Sequence, residues 1–258
     1  MSSAPTAPAV DHILAADLAG RAGELLLEIR RPLEQGEAPD AQAVKDDGDR
    51  RANDLLLEAL AAERSSDATL SEESKDDRSR LEAERVWIID PLDGTREFGE
   101  PPRVDWAVHV ALVVDGRPVA GAVALPAIGQ VLSSDPPETV ALPHTGRPRL
   151  VVSRTRPPAA ATFVAAQLDA ELVEMGSAGA KAMSVIRGES DAYVHSGGQY
   201  EWDSCAPVAV AQAAGLHCSR IDGSPLMYNN PDPYLPDLLI CRPELADDVL
   251  AALATFEP

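Results

Sequence analysis

Asp90 and Asp93 stand three residues apart with Pro91 between them, and Gly94-Thr95 follows directly. A turn of this composition aims two carboxylates and the intervening Leu92 carbonyl at one point. Gly94 removes a side chain so that a ligand can approach the backbone, and Thr95 adds a hydroxyl. Backbone N–H groups opening a helix after Gly94 would favour a phosphate. Hard oxygen donors of this kind suit Mg²⁺, which keeps several waters and shares phosphate oxygens with its protein ligands. The expected chemistry is metal-assisted hydrolysis of a phosphate ester. The same residues also suit an ordinary surface turn. Their position argues against that, because Val86-Trp87-Ile88-Ile89 runs straight into them and Phe98 follows, so the turn leaves a core strand.

The elements that must hold such a turn are legible as periodicities. Ile13, Leu14, Leu18, Leu25, Leu26 and Ile29 predict a helix from about Asp11 to Arg30, ended by Pro32. Residues 32–44, rich in Pro, Gly and acids, read as a loop. A second helix is expected from Asp49 or Arg50 to about Arg64, with Asp49 as its N-cap. Ala68-Thr69-Leu70 predicts a short strand ending at Ser71-Glu72-Glu73. Two strands, roughly Asp105–Val114 and Pro118–Leu125, are joined by the hairpin signal Asp115-Gly116. The 133–148 segment, with Pro136, Pro137, Pro143 and Pro148, reads as a connection, which places a boundary near 145 between an N-terminal α+β half (1–145) and a C-terminal α/β half (146–258). Beyond it, strands at Leu150–Val152, Leu172–Met175, Asp191–His195 and Leu238–Cys241 alternate with helices at Pro158–Leu168, Ala178–Arg187 and Pro207–Ala214.

Composition narrows the function. Twenty-two basic against 42 acidic side chains leave a net charge of −20, which disfavours nucleic-acid binding through phosphates. No apolar run reaches the length of a membrane span. The opening Met1–Pro8 lacks the basic and apolar regions of a signal peptide, so a cytoplasmic address is expected. Cys205, Cys218 and Cys241 show no CxxC spacing and read as small core residues. Only three of the 22 basic residues are lysines, Lys45, Lys75 and Lys181, so an interior lysine would stand out.

Phosphatases of the haloacid-dehalogenase type use Asp-x-Asp-Gly-Thr, whose first Asp is the nucleophile. Here the residue two before Asp93 is Pro91, so a covalent aspartyl-phosphate is excluded. The chain instead resembles the inositol monophosphatase superfamily, in four segments in the expected order. These are Gly48-Asp49-Arg50-Arg51-Ala52-Asn53, Ser71-Glu72-Glu73-Ser74, Trp87-Ile88-Ile89-Asp90-Pro91-Leu92-Asp93-Gly94-Thr95 and Glu201-Trp202-Asp203-Ser204-Cys205-Ala206. The resemblance implies an α/β fold, a layered αβαβα sandwich, and a homodimer. It implies two or three Mg²⁺ per site, held by Glu72, Asp90, the Leu92 carbonyl, Asp93 and Asp203. Asp90 would bridge two of them. Asp49 and Thr95, with Glu73 nearby, would orient the attacking water. Clustered acids repel unless cations share them, so the physics agrees.

Within that family, Thr95-Arg96-Glu97-Phe98 is similar to the branch of CysQ type, which releases the 3′-phosphate of 3′-phosphoadenosine 5′-phosphate (PAP). Val151-Val152-Ser153-Arg154-Thr155 also resembles that branch, as does Gly176-Ser177-Ala178-Gly179-Ala180-Lys181, with one extra residue before the lysine. The implied role is clearance of a by-product of sulfate activation by a lithium-sensitive enzyme. Gly94, Thr95, Arg154, Ser177 and Lys181 are the candidate substrate contacts, with the role of Ser177 left open by the spacing. Lys181 with Arg154 would neutralise a second phosphate; otherwise Lys181 is a helix-edge lysine whose head reaches solvent. Tyr200 or Trp202 would border an adenine, or Trp202 is core. His109 and His195 read as packed strand residues. Inositol 1-phosphate or fructose 1,6-bisphosphate are alternative substrates, and a non-catalytic metal-dependent nucleotide sensor is the alternative outside enzymes.

Overall fold

The computed structural model describes residues 7–37, 40–142 and 145–257. Met1–Thr6 of the expected tail, and 38–39 and 143–144 of the two expected connections, lie outside the described residues.

Alternation along β2 (Arg85–Asp93) decides the layering. Trp87 and Ile89 enter one core with α1 (Ala9–Glu34) and α2 (Ala41–Glu63). Val86 and Ile88 enter another with α5 (Ala178–Ile186) and α6 (Glu201–Ala213). β3 (Ala107–Val114) does the same, sending Val108, Val110 and Leu112 one way and Ala107, Ala111 and Val113 the other. With β1 (Ala68–Ser71), β4 (Arg117–Leu125) and β5 (Gln130–Ser133) they form a sheet in the order β1-β2-β3-β4-β5, parallel only between β1 and β2.

The second sheet takes β6 (Arg149–Ser153), β7 (Glu171–Met175), β8 (Ala192–Tyr200), β9 (His217–Ser219) and β10 (Tyr234–Cys241), in the order β7-β6-β8-β10-β9. Val151, Tyr193, Leu238 and Ile240 face α5 and α6. Leu150, Val152, Val194 and Leu239 face α4 (Ala159–Gln167) and α7 (Ala246–Leu253) on the far side. The layers therefore run helix, sheet, helix, sheet, helix, the sandwich expected from the sequence.

Several boundaries differ from expectation. α1 does not end at Pro32 but passes through it to Glu34. A proline in the last turn forfeits one backbone bond where the helix is about to stop, so the cost is small. Residues 41–44 are not loop, and Asp49 is not an N-cap. α2 starts at Ala41, with Asp40 Oδ1 accepting from Gln42 N at 2.8 Å, and Asp49 lies within the helix. The polar run Lys45–Arg50 hid it. The helix packs closely at Gly48, with Phe98, Leu26 and Leu92 3.1–3.3 Å from where a Cβ would sit, so a larger residue would need those side chains to give way. α6 begins at Glu201 rather than at Pro207, and β8 runs on to Tyr200 instead of stopping at His195. β5, β9 and α7 were not foreseen, being short or lacking clear periodicity.

α6 sits unusually close to β4, because a Cβ on Gly121 would stand 2.6 Å from the Cβ of Ala209. This approach fixes how far Asp203, in the first turn of α6, reaches toward the first sheet. Gly121→Val is expected to destabilise the fold by about 1–3 kcal/mol through overpacking, read as a lower midpoint in urea unfolding. An unchanged midpoint would show that this contact has slack.

Candidate active site

Asp90 continues the Val86–Ile88 face of β2 and so points toward α6, directly across from His109 on β3. The pairing with β3 then slips before resuming at Asp93 and Ala107. Leu92 N donates to Asp90 Oδ1 at 3.1 Å, closing a tight turn at the strand end. Asp203 arrives from the first turn of α6, where its Oδ2 accepts from Tyr200 N at 2.7 Å. One oxygen from each of Asp90, Asp93 and Asp203 lies within 4.8 Å of the others. Glu72, on the turn after β1, is exposed as a residue, but its carboxyl reaches inward and hydrogen-bonds that of Asp90.

Charge tells the same story. Burial, then the charges of Glu72, Asp93 and Asp203, pushes Asp90 well above the carboxylate range. Burial, then Asp203, pushes Glu72 up to about 7, and burial with Asp93 pushes Asp203 up to about 6. Asp93 goes the other way. Its burial is outweighed by His109, Lys181 and Ser177, which hold it below its usual value. Three acids raised around one lowered acid form a cluster that favours a cation over full ionisation. The donors are carboxylates with the Leu92 carbonyl beside them, all hard oxygens, and they fit a small divalent cation such as Mg²⁺.

Asp49 faces this cluster from the middle of α2. Burial and the neighbouring Glu73 raise it to about 7, against a hydrogen bond with Thr95 that lowers it. Thr95 begins α3 (Thr95–Phe98) and donates from Oγ1 to Leu92 O at 3.1 Å. A hydroxyl has one hydrogen, so donation to Leu92 O and donation to the ionised Asp49 carboxylate are alternatives for the same proton. Gly94 has φ +85°, and a Cβ there would crowd Ser177 and the backbone of Asp105. Arg30, buried against the rings of Phe98 and Trp106, donates to Phe98 O at 2.9 Å and Arg103 O at 2.7 Å, which pins the chain just after α3.

Ser177 caps α5, and its hydroxyl donates to Asp93 Oδ2 at 2.5 Å while accepting from Ala180 N at 3.0 Å. Gly179 N donates to the same carboxylate oxygen at 2.7 Å. Lys181 does not reach solvent. It is buried, with Nζ donating to Ser177 O at 2.6 Å and Gly176 O at 3.3 Å. The extra residue in this segment puts Lys181 one helical turn from Ser177, on the same face. Arg154 donates to Glu97 at 2.6 Å and Glu100 at 2.7 Å. Arg96, Arg154, Arg156, Ser177 and Lys181 line a cleft of about 580 Å³ beside the acids. Tyr200 stacks on Trp202, with ring centroids 4.9 Å apart, and is 43% exposed.

His109 and Gly179 were missed as site residues. His109 is fully buried, with Nδ1 3.0 Å from Trp202 O and Nε2 3.2 Å from Asp93 Oδ2, and a Cβ on Gly179 would overlap its ring. Counting back from the Asp115-Gly116 hairpin sets His109 only against Val123 on β4; its place opposite Asp90 comes from the pairing of β3 with β2, which that turn does not fix.

A carboxylate cluster fitted to a divalent cation, beside a cation-lined cleft and in a five-layer α/β/α/β/α fold, defines a metal-assisted phosphate site. The chain belongs to the inositol monophosphatase family, which it matches over residues 10–138 and 140–256. It is 53% identical over 255 residues to the 3′-phosphoadenosine 5′-phosphate phosphatase of Mycobacterium leprae, covering 94% of this chain and 93% of that one. It is 28% identical to the 3′(2′),5′-bisphosphate nucleotidase CysQ of Escherichia coli, over 84% of this chain and 94% of the relative. The crystal structure of CysQ from Bacteroides thetaiotaomicron superposes with a TM-score of 0.73 at 27% identity, covering 90% of this chain and 97% of that one.

The raised Asp49 gives a pH signature. Its contribution to stability is fully present below its unfolded value and is lost as the pH rises through about 7. In chelator, wild type is expected to lose stability relative to Asp49→Asn between about pH 4 and 7, followed by chemical denaturation. A constant gap across that range would contradict the assignment.

Proposed function

We propose that the protein is a Mg²⁺-dependent phosphatase that releases the 3′-phosphate of PAP, giving AMP and phosphate. The observation that carries this reading is the adjacency of two opposite sites in a chain of net charge −20: four acids converge at the end of β2, and four cations, Arg96, Arg154, Arg156 and Lys181, outnumber the single acid Glu97 in the lining of the cleft next to them. A substrate with one phosphate to lose and a second to be held suits that pairing. The relatives named for PAP or bisphosphate nucleotides support it.

In this reading Glu72, Asp90, the Leu92 carbonyl, Asp93 and Asp203 would hold the cation. When bound, Mg²⁺ neutralises phosphate charge and makes water a better nucleophile. The remaining work falls to the chain. Ser177 and Gly179 N fix the Asp93 carboxylate, so its free oxygen has one direction to face. Gly94 leaves room for the phosphate against the backbone. Water attacks phosphorus, the bond to the 3′-oxygen breaks, and AMP leaves with a 3′-hydroxyl once that oxygen has taken up a proton from solvent water. Thr95 Oγ1 orients that water and passes its proton to Asp49, whose raised value near 7 suits it to accept one. Glu73 strengthens this by keeping Asp49 basic. Arg154 and Lys181 stand on the side of the second phosphate, and Tyr200 offers an aromatic face for the adenine. The same reading extends to a cytoplasmic homodimer, inhibited by lithium, that serves sulfate assimilation.

With Mg²⁺ supplied, phosphate release from PAP is expected to exceed that from inositol 1-phosphate and fructose 1,6-bisphosphate, and to fall when Li⁺ is added. Arg154→Ala is expected to lower kcat/KM for PAP roughly ten- to hundred-fold, the worth of one charge-assisted contact, and to change inositol 1-phosphate hydrolysis much less. PAP turning over no faster than the other two would overturn the substrate choice.

A further inference from the structure

Glu201 opens the Glu201-Trp202-Asp203-Ser204 segment and has no part in the chemistry above, yet it is completely buried. A carboxylate in that position needs donors. It finds three, all from one turn: Asn229 N to Oε2 at 2.7 Å, and Asn230 N and Nδ2 to Oε1 at 2.8 and 2.7 Å. That turn is gripped from its other side by Arg80, which is buried to the same degree. Arg80 Nη1 donates to Asn229 Oδ1 at 2.7 Å and Nη2 to Asn230 O at 3.0 Å, while Asn229 Nδ2 donates back to Arg80 O at 3.2 Å. The remaining edge of the guanidinium holds Asp76 Oδ2 at 2.8 and 3.1 Å.

A continuous hydrogen-bonded path thus joins the first residue of α6, two before Asp203, to the acidic segment that begins with Glu72 and Glu73. The segment needs such an anchor. No residue from Glu72 to Ser79 is buried, so apolar packing does not hold it. Its near end is fastened to α2, where Asn53 accepts from Ser71 Oγ at 2.7 Å and donates to Ser74 Oγ at 3.2 Å. Against these ties works the charge of Asp203, the largest influence after burial on the Glu72 carboxyl. Like charges that close push their backbones apart unless something opposes them.

We propose that Glu201, Asn229 and Arg80 form a latch that positions Glu72 against Asp203 across the seam between the two sheets. All three are positioning residues, since none touches the cluster itself. The latch rests on the reading that Glu72 and Asp203 hold the cation. Its effect is on cation affinity: it presets the distance between two ligands that would otherwise have to be drawn together on binding.

The test is calorimetric titration of Mg²⁺ alone into metal-free full-length protein, with thermal melting in chelator alongside. Glu201→Gln keeps the shape but turns an amide donor toward an N–H donor. Asn229→Gly keeps the left-handed backbone of that residue (φ +61°) and its bond to Glu201, and removes only the contacts to Arg80. Asn229→Gly is expected to weaken Mg²⁺ binding roughly ten-fold and Glu201→Gln ten- to hundred-fold. The double variant should bind no more weakly than Glu201→Gln alone, because both act through one path. Should Glu201→Gln fail to fold, Asn229→Gly decides alone. Variants that melt lower in chelator yet bind Mg²⁺ like wild type would overturn the latch. Asp90→Asn is the control. If it too binds like wild type, the ligand set is wrong and the latch falls with it.

Discussion

Glu72, Asp90, Asp93 and Asp203 face one another at the end of β2, and charging any one of them raises the cost of charging the rest. Burial makes this worse, since the cluster lies between a sheet and a helix and not at a solvated surface. Much of the surrounding structure reads as a response to that repulsion. His109 and Lys181 place positive charge behind Asp93, Ser177 and Gly179 give it hydrogen bonds, and Tyr200 N satisfies Asp203. The cluster's remaining deficit of positive charge faces the open side, where a cation and a phosphate fit.

The four acids come from three places in the fold, and the layers are what bring them together. β1 delivers Glu72, the strand end of β2 delivers Asp90 and Asp93, and α6 delivers Asp203. α6 belongs in sequence to the second half of the chain, but it packs on the first sheet through the bare backbone at Gly121. Gly176 plays a similar part on the cleft side, where a Cβ would overlap Glu97, the partner of Arg154. Small residues at these crossings set the reach of the charged ones.

Asp90 and Asp93 were legible because the Asp-Pro-Leu-Asp-Gly-Thr turn is a local signal, as was the alternation of strand and helix, whereas Glu72, Asp203 and the layered sandwich followed from the family resemblance. Asp49 shows where local reading fails. An acid after a polar run looked like a helix start, whereas the helix begins at Ala41 behind the Asp40 cap and Gly48 lies inside it against Phe98, Leu26 and Leu92. His109 looked like a packed strand residue, and it is one. Its second role depends on pairing register, which places it opposite Asp90. Lys181 was singled out by rarity, but its inward course, along the helix to the carbonyls of Gly176 and Ser177, is a tertiary fact.

If cation binding relieves this shared repulsion, it must also displace the protons that relieve it in the cation's absence. Calorimetry of Mg²⁺ binding in buffers of different ionisation enthalpy counts those protons directly. At about pH 6.5, where Glu72 and Asp203, raised to about 7 and about 6, still hold part of their protons, roughly one proton or more should leave per site filled. The number should fall as the pH is raised to about 8.5, above the values of both Glu72 and Asp203. Binding with no proton release at either pH would contradict the carboxylate cluster as the place where the cation sits.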